Sequence, residues 1–229
     1  MNNSSSSKIL DARDPNLPRQ IFQEEEKIFL FDFDGTITKK EVLPQIAALG
    51  GVDLLAKLDH LTGLAITGKV PWAQSFEMRI EMLAEIPTDS IVNVVNSIEK
   101  HSELLSWIRG NSNRAIVATG NLDIWLNPWL VSQGIYAFTS LASESEVQKL
   151  PRQYSRQLNY ILEKKELIEI FADKKVIAVG DGANDVEMLA AADFGIAVEL
   201  VHKVPEALLL AADAVIARED ELCRILSAL

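Results

Sequence analysis

Five short apolar runs mark the candidate strands of this chain. The first three cover residues 27–33, 115–118 and 176–179, and polar residues with a glycine follow each of them. Residues 194–198 and 214–217 are shorter runs of the same kind. Continuous apolar runs that end in this way are typical of strands buried on both faces of a sheet.

Segments with helical periodicity separate these strands. Residues 122–131 and 153–171 show it, a further helix is expected to begin near Pro205, and residues 220–229 repeat leucine and isoleucine on one face. Strands that alternate with helices predict a parallel sheet covered by helices on both sides. The predicted fold class is therefore α/β, with a three-layer, Rossmann-like parallel sheet as its core.

The stretch between the first two strands has a different pattern. Residues 45–58, 72–83 and 88–98 all have helical periodicity, which predicts a small helical cap inserted after the first strand. Pro15 and Pro18 follow a polar start, so ordered structure is expected only from about Ile21. The predicted division is a disordered tail at residues 1–20, a core domain at 21–41 and 101–229, and a cap domain at 42–100.

Composition narrows the classes of partner. The 229 residues include 22 Lys and Arg against 33 Asp and Glu, and the net charge of -11 opposes binding to nucleic acid or anionic membranes. Cys223 is the one cysteine, so no internal disulfide is possible. No secretory signal precedes the first strand, and the most apolar later run is interrupted by Asp213. A cytoplasmic protein is expected, and the sequence does not indicate its oligomeric state.

Polar residues follow three of the predicted strands. Asp32 and Asp34 come after the first, Thr119 after the second, and Asp181 and Asp185 after the third. In open parallel sheets, ligands bind in the crevice beyond the carboxyl ends of the strands. The fold therefore predicts that these five residues approach one another.

Asp32 and Asp34 point to the same side of an extended chain, because side chains alternate along a strand. Mg²⁺ would offset the repulsion between two carboxylates and would neutralise an incoming phosphate. A calcium loop of the EF-hand type is excluded, because its glycine and glutamate positions hold Ile37 and Leu43. Alternatively, Asp32 and Asp34 have a structural role alone and cap a helix.

A second acidic run, Gly-Asp-Gly-Ala-Asn-Asp at residues 180–185, follows the third strand and opens a helix. Asp181 and Asp185 complete the predicted magnesium site. Asn184 or Asp185 alternatively caps the helix, and a carboxylate can fill both roles.

These two runs resemble the first and fourth signature motifs of the haloacid dehalogenase superfamily. The resemblance implies that Asp32 attacks phosphorus and forms an aspartyl-phosphate, while Asp34 protonates the leaving alcohol and then activates water. It also implies Mg²⁺ as cofactor, bound by the side chain of Asp32, the backbone carbonyl of Asp34 and the side chain of Asp181. Asp185 supports that site.

The second and third motifs of the superfamily also have candidates. Thr119 resembles the hydroxyl residue that donates to a phosphoryl oxygen, although a threonine at a strand end is commonly structural. Lys164 and Lys165 are candidates for the lysine that stabilises the nucleophile. The resemblance favours Lys164, because Leu167 and Ile168 follow it at the expected spacing, and Lys165 is then a surface charge.

The helical segment resembles the cap of phosphoserine phosphatases. Glu41 stands nine places after Asp32, where that family recognises a substrate amino group, and Arg79 matches the arginine that binds the serine carboxylate. Trp72 stands where an aromatic residue closes the pocket. By this resemblance the substrate contacts come from Glu41, Arg79, Gly120, Lys164 and Asn184.

Structural alternatives remain for two of these residues. Arg79 would form a surface ion pair with Glu77 or Glu81, and Glu41 would be an acid in the first turn of a helix. The chain also departs from the family. Residues 119–121 are Thr-Gly-Asn in place of Ser-Gly-Gly, and the region after Tyr136 is shorter and has no evident hairpin.

The function expected from these observations is hydrolysis of phosphoserine or of a similar small phosphorylated metabolite, dependent on Mg²⁺. One alternative is a phosphatase of the same superfamily that acts on a different small ester. Another is a binding or regulatory protein that keeps the fold while catalysis is weak.

Overall fold

The structure is a computed structural model that describes residues 7–142 and 158–229. The described residues form one sheet of eight strands, with the spatial order β1-β4-β3-β2-β6-β7-β8 and with β5 antiparallel beside β4. All other pairs are parallel. The strands are β1 (Ile9–Leu10), β2 (Lys27–Phe31), β3 (Ala115–Leu122), β4 (Tyr136–Ala142), β5 (Leu158–Tyr160), β6 (Lys175–Gly180), β7 (Phe194–Val198) and β8 (Ala214–Ile216).

Helices cover both faces of the sheet. They are α1 (Asn16–Ile21), α2 (Val42–Leu49), α3 (Val52–Ile66), α4 (Trp72–Met82), α5 (Thr88–Ser97), α6 (Ser102–Gly110), α7 (Asp123–Gln133), α8 (Glu166–Ile170), α9 (Val186–Ala191), α10 (Glu206–Ala211) and α11 (Glu219–Ala228). Within the described residues, no helix combines the length and the apolar character that crossing a membrane requires.

The central strand β2 shows why the sheet has two cores. Phe29 and Phe31 pack into a cluster with residues of α2 to α7 and α11, whereas Ile28 and Leu30 pack with residues of α8, α9 and α10. All four side chains are fully buried. Because side chains alternate along a strand, one continuous apolar run supplies both faces. The three-layer α/β architecture is confirmed.

The helical segment between β2 and β3 agrees with the prediction at α4 and α5 but not before them. The single helix predicted at residues 45–58 is wrong, since α2 ends at Leu49 and α3 begins at Val52. Gly51 lies between them at φ 96°, a conformation that side chains disfavour, and it reverses the chain there. The division into a core and a cap domain stays a prediction.

Ordered structure begins before Ile21, so the predicted disordered tail at residues 1–20 is wrong for its described part. Strand β1 pairs with β4 at the sheet edge, and α1 follows it. Leu10 and Phe22 are each only 1% exposed. Their burial and the free edge of β4 stabilise a segment whose local sequence is turn-rich. Residues 1–6 lie outside the described part.

The segment after β4 also differs from expectation. In place of a helix at residues 153–171, β5 pairs antiparallel with β4 and the helix α8 is only five residues long. The backbone N–H of Leu162 donates to the Ser140 hydroxyl at 3.1 Å, which ties the chain to β4 beyond β5. Tertiary pairing thus overrides helical periodicity, and the structure has an antiparallel pair in the region after Tyr136, where the sequence shows no evident hairpin. Residues 153–157 of the predicted helix lie outside the described residues.

Candidate active site

The carboxyl ends of β3, β2 and β6 lie side by side at the middle of the sheet. Asp32 directly follows β2, and its backbone N–H donates to the carbonyl of Val179 at 2.9 Å, which extends the sheet pairing to the first acidic residue. Thr119 lies within β3, and Asp181 follows β6. Strand adjacency thus brings together residues that are far apart in the sequence.

Lys164 lies between two aspartates. Its ammonium group donates to Oδ1 of Asp32 and, at 2.5 Å, to Oδ1 of Asp185. All three side chains are buried, and Lys164 lies in the turn before α8, not on a helix. Although burial opposes its charge, the charges of Asp185 and Asp32 raise the pKa of Lys164.

Lys165, the other candidate, is on the surface. Its ammonium group lies 3.0 Å from Glu187 and 3.8 Å from Glu163, with all three side chains largely exposed. The structure therefore brings Lys164 to the acidic cluster and leaves Lys165 outside it.

Asp185 organises the loop that follows β6. Its Oδ2 accepts the backbone N–H groups of Asp181 at 3.1 Å and Gly182 at 3.0 Å. Its other oxygen accepts from Lys164, so protein donors engage both oxygens. Asp185 thus caps the 3-10 turn Ala183–Asp185, as the structural alternative predicted, and also holds the buried lysine.

Asp32, Asp181 and Asp185 form a cluster that suits a hard cation. One oxygen from each lies within 4.8 Å of the others. Thr36 donates to Oδ1 of Asp181 at 2.9 Å, and Gly35, at φ 72°, leaves room for Asp181, because a Cβ there would lie 2.1 Å from Oδ2. Carboxylate oxygens are the ligands that Mg²⁺ prefers, so the donor set fits that ion.

The side chain of Asp34 has hydrogen-bond partners outside this cluster. Its Oδ1 accepts the backbone N–H of Val42, the first residue of α2, at 2.8 Å. Its Oδ2 accepts the side-chain N–H of Asn121 at 2.6 Å. The predicted capping role is therefore present for Asp34, and Asn121 links this half-buried carboxylate to Thr119.

The acidic residues of the site resist ionisation. Burial, and then the charge of Asp185, raise the pKa of Asp32 well above its ordinary value, although Lys164 opposes them. The same two causes raise the pKa of Asp181 to about 7. The protein atoms crowded around Glu41, followed by the charges of Asp34 and Asp181, raise its pKa to about 8, although its side chain keeps an exposed face. The site therefore holds more negative charge than Lys164 balances.

This imbalance predicts that Asp181→Asn stabilises the protein when divalent cations are removed. The native pKa of Asp181 is about 7 against an ordinary 3.8, so the native state binds more protons and loses stability as pH rises from about 4 to 7. At pH 8 with a chelator, we expect about 1–2 kcal/mol of stabilisation, or roughly 2–8 °C in Tm. At pH 4 the variant and the wild type should melt together.

With Mg²⁺ at pH 8, the wild type is expected to be more stable than Asp181→Asn, because the variant lacks a carboxylate ligand for the ion. Thermal melts of the variant and the wild type at pH 4 and pH 8, each with Mg²⁺ or with a chelator, measure these differences in stability. A variant that is less stable than the wild type at pH 8 in chelator would contradict the proposed repulsion.

Arg79 is a buried cation that has no carboxylate partner in the described part of the chain. Its guanidinium donates to the carbonyl of Ser75 at 3.2 Å and to the hydroxyl of Thr62 at 3.4 Å, and lies 5.7 Å from the ring centre of Phe76. Among the described residues, no carboxylate lies within 4.0 Å of it. The alternative surface ion pair is wrong. Burial lowers the pKa of Arg79, and the charge of Glu41 opposes that effect.

The other predicted contact residues lie in different settings. Trp72 stacks on Phe76 with 5.2 Å between ring centres, and a Cβ at Gly120 would lie 3.3 Å from its indole, so α4 touches β3 here. Asn184 is exposed and packs its amide oxygen over Gly182. Among the described residues, the Asn184 side chain forms no hydrogen bond with the acidic cluster.

Sequence reasoning missed two residues of the site, Thr36 and Asn121. Asn121 donates to both Asp34 and Thr119. Its position two residues after Thr119 in a strand was the available signal, because such residues share one face.

Comparisons with known proteins agree with this geometry. A family model for haloacid dehalogenase-like hydrolases matches residues 26–193. The phosphoserine phosphatase of Methanocaldococcus jannaschii is 29% identical over 187 residues, which is 76% of this chain and 86% of the relative. That of Archaeoglobus fulgidus is 26% identical over 215 residues, and the match spans 89% of this chain and 60% of the relative.

Solved structures of phosphoserine phosphatases have the same fold. A phospho-aspartyl intermediate analogue superposes with a TM-score of 0.69 at 26% identity, covering 90% of this chain and all of the other. A substrate-bound complex has a TM-score of 0.68 at 25% identity, covering 90% and 99%. The predicted enzyme class, a phosphoric monoester hydrolase of the phosphoserine phosphatase type, agrees with these relatives. The chain belongs to the haloacid dehalogenase-like hydrolase family.

Proposed function

We propose that this enzyme is a magnesium-dependent phosphomonoesterase that hydrolyses phosphoserine, or a similar small phosphorylated metabolite, through an aspartyl-phosphate on Asp32. The observation that carries the proposal is the buried cluster in which Lys164 bonds to Asp32 beside Asp181, at the carboxyl end of the central strand. The named relatives support the same chemistry.

The first half of the proposed reaction transfers the phosphoryl group to the protein. A carboxylate oxygen of Asp32 attacks phosphorus, a new P–O bond forms, and the bond from phosphorus to the ester oxygen breaks. Lys164 engages Oδ1 of Asp32, and no described residue donates to Oδ2, which leaves that oxygen for attack. Asp34 gives a proton to the departing alcohol. Thr119 donates its hydroxyl hydrogen to a phosphoryl oxygen.

The second half releases phosphate. Asp34 takes a proton from a water molecule, the water oxygen attacks phosphorus, and the bond from phosphorus to the Asp32 carboxyl breaks. Inorganic phosphate leaves and the Asp32 carboxylate is restored. Asp34 ends in its starting protonation state, so the cycle balances.

Asp32 and Asp181 would hold the metal ion, with the backbone carbonyl of Asp34 as a further proposed ligand and Asp185 behind them. When bound, Mg²⁺ supplies positive charge that offsets the excess of carboxylates and the charge of the phosphate. Its binding is expected to tighten as pH rises, because the pKa of Asp181 is raised to about 7 and ligands must be ionised.

The substrate proposal rests on Arg79 and Glu41. Arg79 is a desolvated cation whose nearest described partners are neutral, so a ligand carboxylate would supply the missing charge. A guanidinium group can bind a carboxylate in a bidentate geometry, and the Glu41 carboxylate would bind an ammonium group. A phosphorylated amino acid carries both groups, which supports phosphoserine over esters that lack them.

Helices α2 to α5 would act as a cap over this site, with domain bounds at residues 42–100 for the cap and at 21–41 and 101–229 for the core. The two connections run antiparallel, because Thr38 bridges Lys100 and the N–H of His101 donates to the carbonyl of Ile37 at 2.9 Å. We propose that cap and core meet at Trp72 and Gly120, where closure would exclude water.

Partners other than small metabolites are not proposed. The net charge of -11 disfavours nucleic acid and anionic membrane surfaces. A cytoplasmic location is proposed, because a chain with the single cysteine Cys223 cannot form the internal disulfides that are common in oxidising compartments.

Phosphate release from a panel of esters tests the proposal. With Mg²⁺, we expect phosphoserine to exceed glycerol phosphate and p-nitrophenyl phosphate in kcat/KM, and we expect a chelator to remove the activity. Arg79→Met and Glu41→Gln should each raise KM for phosphoserine roughly 10–100-fold, since a charged hydrogen bond contributes about 1.5–3 kcal/mol. Both variants should keep kcat/KM for p-nitrophenyl phosphate within about threefold of the wild-type value.

Lys69→Met is the matched control, because Lys69 is an exposed cation of the same helical segment. Equal losses of activity on all esters would indicate that Arg79 and Glu41 serve the stability of the fold and not substrate recognition. Melting temperatures of the variants check this. Preference for another ester would reject phosphoserine and keep the chemistry. Absence of magnesium-dependent release from every ester would favour the binding-protein alternative.

A further inference from the structure

Asn121 is a buried polar residue at the inner edge of the site. It lies in β3, two residues after Thr119, and only 3% of it is exposed. In the Ser-Gly-Gly pattern of the family that the sequence resembles, a glycine stands at this position. A side chain at this position therefore adds groups that a glycine cannot supply.

The amide group of Asn121 links two residues of the proposed mechanism. Its Nδ2 donates to Oδ2 of Asp34 at 2.6 Å and to Oγ1 of Thr119 at 3.1 Å. A side-chain amide nitrogen carries two hydrogens, so these two bonds use both.

Thr119 is constrained in turn. Its Oγ1 accepts from Nδ2 of Asn121 and also from the backbone N–H of the same residue at 3.2 Å. A hydroxyl oxygen has two lone pairs and one hydrogen, so both acceptor sites are filled. No acceptor for the hydroxyl hydrogen is found among residues 7–142 and 158–229, which leaves it for a bound group.

Asp34 is held from both sides. Val42 donates to Oδ1 at 2.8 Å and Asn121 donates to Oδ2, so its carboxyl plane is fixed between α2 and β3. Neither donor belongs to the acidic cluster. The position of this carboxyl therefore depends on one backbone group and one side chain.

We infer that Asn121 is a positioning residue that holds Asp34 in place for proton transfer and directs the hydroxyl hydrogen of Thr119 toward the phosphoryl group. The inference rests on the proposed function. It assigns the site a side-chain amide that performs two tasks at once.

Steady-state kinetics of Asn121→Ala and Asn121→Gly with phosphoserine test this role. We expect kcat to fall about 10–100-fold and KM to change by less than about threefold, because the residue acts through groups that serve the transition state. In a Thr119→Ala background, Asn121→Ala should cost several-fold less than it does in the wild type, since one of its two targets is gone. Asn127→Ala, on α7, is the matched control and should keep full activity.

A second measurement does not depend on turnover. With asparagine labelled by ¹⁵N, the side-chain amide hydrogens of Asn121, identified by their loss in Asn121→Asp, should exchange with water at least about tenfold more slowly than those of half-buried Asn127. Rapid exchange would overturn the inference whatever the kinetics show.

The outcomes separate the two claims. If the wild type is active and Asn121→Gly keeps its kcat within twofold, the inference is overturned and the proposed function stands. If the wild type releases phosphate from no ester, the proposed function fails and the role of Asn121 fails with it. A reduced kcat of Asn121→Gly, together with slow exchange of the Asn121 amide hydrogens in the wild type, supports both the proposed function and the role of Asn121.

Discussion

Asp32→Asn is expected to lower kcat for phosphate release by at least about 10⁴-fold, because removal of a covalent nucleophile costs on this order in other hydrolases. An asparagine has nearly the same shape and fits the same buried position, but its amide oxygen is a poor nucleophile. The measurement is magnesium-dependent release from phosphoserine, or from whichever ester the wild type hydrolyses best.

Intact protein mass adds a direct test of the intermediate. Wild-type enzyme quenched in acid during turnover should carry one phosphoryl group, and the variant should carry none. Asp173→Asn, the same change at an exposed carboxylate, is the control and should match the wild type. A variant that keeps a tenth of the activity would indicate direct attack by water and no aspartyl-phosphate on Asp32.

Lys164→Met is expected to destabilise the fold as well as to abolish activity. Its ammonium group is the one cation bonded to Asp32 and Asp185 among the described residues, and all three side chains are buried. Removing one partner of a buried ionic network costs about 3–5 kcal/mol, because the remaining charges are left without compensation. In this size range that corresponds to a fall in Tm of roughly 6–20 °C.

Lys165→Met separates this effect from a general loss of charge. Lys165 forms only exposed pairs with Glu163 and Glu187, which contribute about 0–1 kcal/mol. Melting in chelator at pH 8 and activity in Mg²⁺ should both stay near wild type. Equal losses in the two variants would contradict the assignment of Lys164. A smaller loss for Lys164→Met at pH 5 would agree with protonation of Asp32, whose pKa is raised.

The center of the fold was predictable because its signals are local. The apolar run of β2 and the acidic residues that follow it specify a buried strand and a site at its end. Parallel strand order then predicts that Asp32, Thr119 and Asp181 meet, and the structure has them at the carboxyl-terminal parts of adjacent strands or directly after them. Nothing in this inference requires knowledge of side-chain packing.

Other features depend on contacts that a single segment does not reveal. Strand β1 exists because β4 offers a free edge and Leu10 finds a buried position. Strand β5 forms by pairing with β4, against a helical pattern in its own sequence. Lys164 and Lys165 are neighbours in the sequence, and the structure distinguishes them by the burial of Lys164 between two aspartates.

The location of β2 between β3 and β6 also bears on when activity can arise. Phe29 pairs with Ala115 on one side and with Ile177 on the other, so the central ladder joins segments that are distant along the chain. Contacts of such long range form late, since a large loop entropy must be overcome first. We therefore expect Asp32 to gain Lys164 and Asp181 as neighbours only once the central sheet has formed, so that catalysis is a property of the finished sheet.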